Sequence, residues 1–216
     1  MPTLSVELHP QTPESYKIAK IVNVLRSGAV MLYPTDTGFA LGCCLSQKNA
    51  IARIRQIRRL PENKHLTFLC DSLSHIAEFA KVSNHAYRVI KRLIPGPYTF
   101  ILPATKAVPH YAVDPKRKTT GIRVPENPIA LALLKELGNP LISITARVAT
   151  DDDEEIETPE ELIEKFASLV DVVIASEVYH FEGESTVIDM TDDAFSIIRR
   201  GARVQTVLRE VPELQD

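Results

Sequence analysis

The 216-residue chain has no apolar run near the roughly 20 residues that a membrane span needs. Its first residues, MPTLSVELHPQTPESYK, lack both the basic start and the apolar stretch of a secretory signal. Together these absences predict a cytoplasmic protein that does not engage a membrane. Cysteine is scarce: Cys43 and Cys44 are adjacent and Cys70 is distant, so no CxxC pair exists to hold zinc, and all three read as small buried hydrophobes. No GxxxxGK[ST] phosphate loop, no GxGxxG after a strand and no HExxH occurs, and the six histidines are scattered. A protein-held metal is not expected. A bound nucleotide would have to be held by dispersed Lys, Arg, Ser and Thr in an open groove at strand ends.

What is present is an ordinary globular composition, 44% hydrophobic and 25% charged. The net charge of −3 hides a strong asymmetry, because residues 1–150 carry 20 Lys+Arg against 9 Asp+Glu and residues 151–216 carry 5 against 19. That separation fits a polyanionic partner for the basic part, or mutual attraction of the two parts across one domain. Strand-like runs alternate with helical ones for most of the length. Apolar Ala29–Tyr33 and Phe39–Cys44 flank a polar turn, and HLTFLC, YTFIL, GIRVP, PLISIT, DVVIAS, STVIDM and FSIIRR follow. Thr12-Pro13 reads as the start of a first helix and Ser46 as the cap of a second running to about Arg59. Ser83 opens another, Pro128–Leu137 ends at Gly138, and Thr158-Pro159-Glu160-Glu161 is a capping box. The expectation is an α/β domain with one large twisted sheet and flanking helices. Segment DDDEEIE (151–157) reads as a solvated loop.

The turn Pro34-Thr35-Asp36-Thr37-Gly38 carries two hydroxyls beside a carboxylate, which is more than a turn requires. Basic residues form two clusters, RIRQIRR (53–59) and KRKTTGIR (116–123). Helical spacing puts Arg55, Arg58 and Arg59 on one cationic face, which suits either solvent or polyanion. Arg123 alternates with Ile122 and Val124, so it projects from a sheet face and needs a carboxylate or phosphate; Asp189 is a candidate partner.

YPTDTGFALGC resembles the hallmark "YPT(E/D)TxYGLGC" of the YrdC-like domain family. PGPYTFIL, GIRVPENP, the PLIS stretch, STVIDM and the terminal IRRGA follow in the family's order, over about residues 16–202, with 1–15 as an N-terminal arm and 203–216 as a C-terminal tail. The RxLP turn, the TFIL strand and the KRKT-GxRVP stretch are similar to the YciO branch. The resemblance implies a large mixed, largely antiparallel sheet with a basic concave face, ATP with Mg²⁺ as substrate, and formation of threonylcarbamoyl-adenylate from threonine, bicarbonate and ATP for tRNA modification. It also implies binding of double-stranded RNA. Carried over by position, it nominates Thr35, Arg58, Lys64, Arg123, Ser143, Thr145, Arg147, Ser185 and Arg199 as substrate contacts. Arg55, Arg59, Lys116, Arg117 and Lys118 are the RNA-facing candidates.

Two positions depart from the synthase pattern. Leu60 stands where Lys-x-Arg-Pro has arginine, and Arg147 ends Ser143-Ile144-Thr145-Ala146-Arg147 where asparagine is usual. Three readings stay open: a weak or redirected adenylate-forming enzyme, a non-catalytic RNA or nucleotide binder, and a structural partner whose charges only hold the domain together.

Overall fold

A computed structural model describes residues 3–61, 66–113, 116–146 and 158–214. The strands are β1 (Leu4–Glu7), β2 (Met31–Thr35), β3 (Gly38–Cys44), β4 (Thr67–Leu69), β5 (Tyr98–Pro103), β6 (Thr119–Arg123), β7 (Leu141–Thr145), β8 (Val172–Ala175), β9 (Thr186–Asp189) and β10 (Ser196–Arg199). The helices are α1 (Ser15–Arg26), α2 (Lys48–Ile57), α3 (Leu73–Phe79), α4 (Asn84–Leu93), α5 (Pro128–Leu137), α6 (Pro159–Ala167) and α7 (Val204–Glu210). All ten strands form one sheet in the order β1-β8-β2-β3-β7-β4-β6-β5-β9-β10. Parallel and antiparallel neighbours are mixed, as expected for α/β layers.

The period-2 alternation of strands divides the core into two layers. On one face Leu32, Leu41, Cys43, Phe68, Phe100, Ile122 and Ile142 pack beneath α2, α3, α4, α6 and α7, through Ile54, Ile76, Ile90, Phe166 and Val207. On the other face Met31, Tyr33, Cys44 and Leu141 pack beneath α1 and α5, through Ile21, Leu25, Leu133 and Leu134. Cys43 and Cys44 thus point to opposite faces. Burial pushes the Cys43 and Cys70 thiols far up, so both stay protonated and unreactive. Helices α1 and α5 cover the β1-to-β7 side and pack as far as Leu69 of β4, and among the described residues no helix covers the same face from β6 to β10. That gap positions the site.

Local chemistry explains several boundaries. Asn127 accepts from Ala130 N at 3.0 Å, Pro128 opens α5, and Gly138 ends it in the left-handed conformation. The Thr158–Glu161 capping box opens α6 as expected, and Ser83 caps α4. Three expectations fail. Thr12 does not start α1; its hydroxyl bonds His9 Nδ1 at 2.9 Å, and the helix begins at Ser15. Ser46 does not cap α2, because its hydroxyl lies 3.1 Å from Cys44 Sγ and Gln47 occupies the cap position. The three-arginine face is absent as well: α2 stops at Ile57, Arg58 is its C-cap, and Arg59 turns away at φ 48°. Strand β1 and helix α7, on either side of residues 16–202, both fold onto the sheet, the former against β8 and the latter through buried Val207.

Gly42 is needed for close approach. A β-carbon there would lie 2.7 Å from Tyr33 Cε1, 3.1 Å from Met31 Cε and 3.2 Å from the Ile142 carbonyl. Gly42→Ala is therefore expected to cost about 1–3 kcal/mol by overpacking, read as a lower urea midpoint. Unchanged stability would mean that the Tyr33 ring can move freely, against its complete burial.

Candidate functional site

The uncovered half-face holds a cavity of about 500 Å³. Its floor follows from strand register, which aligns Ser143, Thr67, Gly121 and Ile101 across β7, β4, β6 and β5. Along β6, residues Thr119, Gly121 and Arg123 face the cavity side in alternation. Because β4 and β6 run parallel, the loops preceding both lie at one end of the groove. That end carries Arg58, Leu60 and Arg117, so the two basic clusters of the sequence converge there. The opposite end carries Thr35, Thr37, Arg123, Ser185 and Arg199.

At this second end the β2–β3 hairpin closes over two residues, Asp36 and Thr37. The Thr35 hydroxyl donates to Gly38 O (2.7 Å) and accepts from Thr37 N (3.1 Å), fixing the turn by side-chain-to-backbone bonds. Gly38 supplies φ 131°, a value that favours glycine. Thr37 Oγ1 accepts from Arg123 Nη1 at 2.5 Å, and Arg123 Nη2 makes a very short contact with Asp36 Oδ1. Arg123 Nε donates to Gly96 O at 3.3 Å. With side chains only 6% and 4% exposed, Arg123 and Asp36 form a buried ion pair. The partner suggested by the sequence, Asp189, lies elsewhere on the face; its carboxylate accepts from Thr191 N at 2.9 Å. The hydroxyls beside the carboxylate therefore serve a clamp between a hairpin and the middle of the sheet. Asp36 Oδ2 is buried without a hydrogen-bond partner among the described residues.

Two further networks preset hydroxyls. Burial pushes the Tyr33 phenol far up, so it stays protonated and donates to Ser143 Oγ at 2.8 Å. Arg199 donates to both Ser185 O and Ser185 Oγ at 3.0 Å and lies 3.2 Å from Glu184, while Ser185 Oγ is 2.9 Å from Thr99 Oγ1.

Of the nine nominated substrate contacts, Thr35, Arg58, Arg123, Ser143, Thr145, Ser185 and Arg199 line this one cavity. Lys64 and Arg147 lie outside the described residues. Of the RNA-facing candidates, Arg117 lines the cavity, while Arg59, Lys116 and Lys118 are exposed and Arg55 donates to Pro61 O at 3.1 Å. Thr37, Thr67, Thr99, Thr119 and Glu184 also line the cavity and went unnominated. The alternation that placed Arg123 on a sheet face would have found Thr119, two pairs upstream on the same strand. Among the described residues no group of three or more His, Cys, Asp or Glu could hold a metal. The lining carboxylate, Glu184, is engaged by Arg199.

Removing one member of a buried ion pair strands the other. Asp36→Ala or Arg123→Ala is expected to cost about 3–5 kcal/mol, and the paired replacement Asp36→Leu/Arg123→Met much less than the sum. Equilibrium denaturation of the four proteins measures this, and additive losses would refute the clamp.

A family model named Sua5_yciO_yrdC, described as "Telomere recombination", matches residues 23–201. The uncharacterized protein YciO of Escherichia coli is 42% identical over 194 residues, covering 90% of this chain and 93% of that one. Its crystal structure superposes with a TM-score of 0.83, at 40% identity, over 95% of this chain and all of that chain. A threonylcarbamoyl-AMP synthase of Vibrio vulnificus is 27% identical over 187 residues, covering 85% of this chain and 98% of its own. The Pyrococcus abyssi Sua5 structure complexed with L-threonine gives a TM-score of 0.87 at 25% identity, over 98% of this chain and 62% of that one. With a family model spanning most of its length, a fold shared with YciO at a TM-score of 0.83 and 42% identity to it, the chain belongs to the YrdC/Sua5 family, on its YciO branch.

Proposed function

We propose that the groove binds ATP or AMP and, weakly, carries out adenylyl transfer to a carbamate of threonine, as the more distant synthases of the family do by name. The observation that carries this reading is convergence: seven dispersed residues nominated from sequence line one cavity. In the reaction, a carbamate oxygen attacks the α-phosphorus, the bond from that phosphorus to the bridging oxygen breaks, and pyrophosphate leaves with the electron pair. The chain's contribution is positional and electrostatic. Arg58 and Arg117 at one end and Arg199 at the other supply guanidinium groups for phosphates. Ser143 and Ser185, held by Tyr33 and Arg199, offer oriented hydroxyls. Mg²⁺ does not fit the described residues as a protein-held ion and would arrive bound to the nucleotide.

A second reading, nucleotide or RNA binding without turnover, is favoured by two observations. Leu60 lines the cavity and cannot bond a phosphate, and the Arg123 charge is already neutralised by Asp36. Loss of one charge-assisted contact is worth about 1.5–3 kcal/mol, or about one to two decades in rate.

Calorimetry with ATP is the direct test. Wild type is expected to bind, and Arg58→Ala and Arg199→Ala to weaken binding about tenfold each; absence of heat at saturating ATP would remove the reading. Threonine- and bicarbonate-dependent pyrophosphate release is expected to be slow in wild type and to rise in Leu60→Arg/Arg147→Asn. A folded, ATP-binding double variant that remains inactive would leave the binding-only reading.

For RNA, Arg59, Lys116 and Lys118 present exposed charge beside the groove but no recognition helix. Retention of a duplex RNA is therefore expected to be sequence-insensitive and to fall steeply between about 50 and 200 mM salt. A gel shift unchanged over that range would exclude phosphate-driven binding.

A further inference from the structure

Between the arginines at its two ends, the β5–β9–β10 side of the groove carries aliphatic side chains. Strand β10 carries a bulge, with the register shifting between Ile197 and Arg199, so Ile198 is the inserted residue. Ile198 is 56% exposed and lines the cavity. Beside it lie two more aliphatic lining residues, Val187, paired with Thr99, and Ile101, which stands two positions beyond Thr99 on β5. Ile198, Val187 and Ile101 together group three aliphatics into an apolar shelf within a cavity that also carries many hydroxyls, and it is a contiguous patch of this kind, not a lone exposed side chain, that marks a ligand surface.

The floor next to this shelf is kept low by one missing side chain. A β-carbon on Gly121 would lie 3.0 Å from Thr67 Oγ1, 3.4 Å from Ile101 Cδ1 and 3.5 Å from Thr99 Cγ2. These three side chains converge over the glycine, and any larger residue would lift them into the cavity. Gly121 does not adopt a positive φ, so its role is clearance and not backbone conformation.

We infer that Gly121 and Ile198 are specificity-determining residues: the glycine flattens the floor, and the shelf of Ile101, Val187 and Ile198 takes the face of a planar ring, the base of the bound nucleotide. The inference rests on the nucleotide reading above, and it adds which part of the groove discriminates a base-bearing ligand from a bare polyphosphate. Stacking a ring on aliphatic carbon is selective for flatness and apolar area, not for hydrogen-bond pattern, so ATP and GTP are expected to share the shelf.

The test compares ATP with inorganic tripolyphosphate, which lacks the base, by calorimetry on wild type, Gly121→Ala, Gly121→Val and Ile198→Ser. Wild type is expected to prefer ATP. Ile198→Ser changes an exposed side chain and should fold normally, lose about fivefold to tenfold in ATP affinity, and keep its tripolyphosphate affinity within about twofold. Gly121→Ala is expected to weaken ATP modestly and Gly121→Val strongly, in the order of side-chain volume. If wild type binds ATP and Ile198→Ser and Gly121→Ala bind it equally well, the shelf is wrong and the nucleotide reading stands. If the variants lose ATP and tripolyphosphate in parallel, the residues do not read the base and the inference is likewise overturned. If wild type binds neither ligand, both the nucleotide reading and the shelf fall together.

Discussion

The Arg123–Asp36 pair is the constraint around which this site is organised. It joins the tip of the β2–β3 hairpin to the central strand β6, which are neither sequence neighbours nor paired strands. Two charges taken out of water are unfavourable unless their geometry and remaining hydrogen bonds are good. Here Thr37 and the Gly96 carbonyl satisfy further guanidinium N–H groups, and the Thr35 hydroxyl shapes the turn that presents the carboxylate. Hairpin, strand β6 and the loop before β5 are thereby fixed to one another, and one wall of the groove becomes rigid.

That clamp changes how the motif residues divide their labour. Arg123 is the most buried of the groove's described arginines and has a resident counter-ion, so under the proposed nucleotide reading the phosphate contacts fall to Arg58, Arg117 and Arg199. Arg199 is in turn braced by Ser185 and Glu184, which sets its direction without burying its charge. The charge asymmetry of the chain resolves similarly. Arg53 with Asp171 and Arg92 with Glu210 pair the basic part with the acidic part, so some of the separation is internal cohesion.

Much of this was legible in the sequence where the governing interaction is local. The caps of α4 and α6 and the end of α5 are decided by residues within one turn and match the sequence reading, whereas the equally local starts of α1 and α2 do not, because Thr12 bonds His9 and Ser46 lies against Cys44. The strands with β-branched alternation were found, and the family motifs nominated residues that do converge. Non-local choices were not legible. The Asp36 partner of Arg123 lies far away in sequence, and Asp189 was an equally good guess from composition. Strand β1 has only four residues with a polar alternate face, and its identity comes from the β8 edge that receives it. Helix α2 was read two residues too long because arginine is a good helix former, whereas the chain must turn there toward β4. Gly121, where a β-carbon would crowd Thr67, Ile101 and Thr99, looks like an ordinary strand residue until its neighbours are known.

The strand order has a kinetic corollary. β8 sits between β1 and β2, so that Leu4 and Met31 both align with Val172. Likewise β7 is inserted between β3 and β4. The amino-terminal strands consequently have no complete set of hydrogen-bonding neighbours until the ribosome has produced most of the polypeptide. Contacts of such long sequence separation impose a large loop-closure entropy before any reward is gained, which slows folding. During synthesis, the exposed edges of β2 and β3 would wait unpaired. Unpaired strand edges are aggregation-prone, so a nascent chain of this topology is most exposed to misassociation before β7 and β8 have emerged.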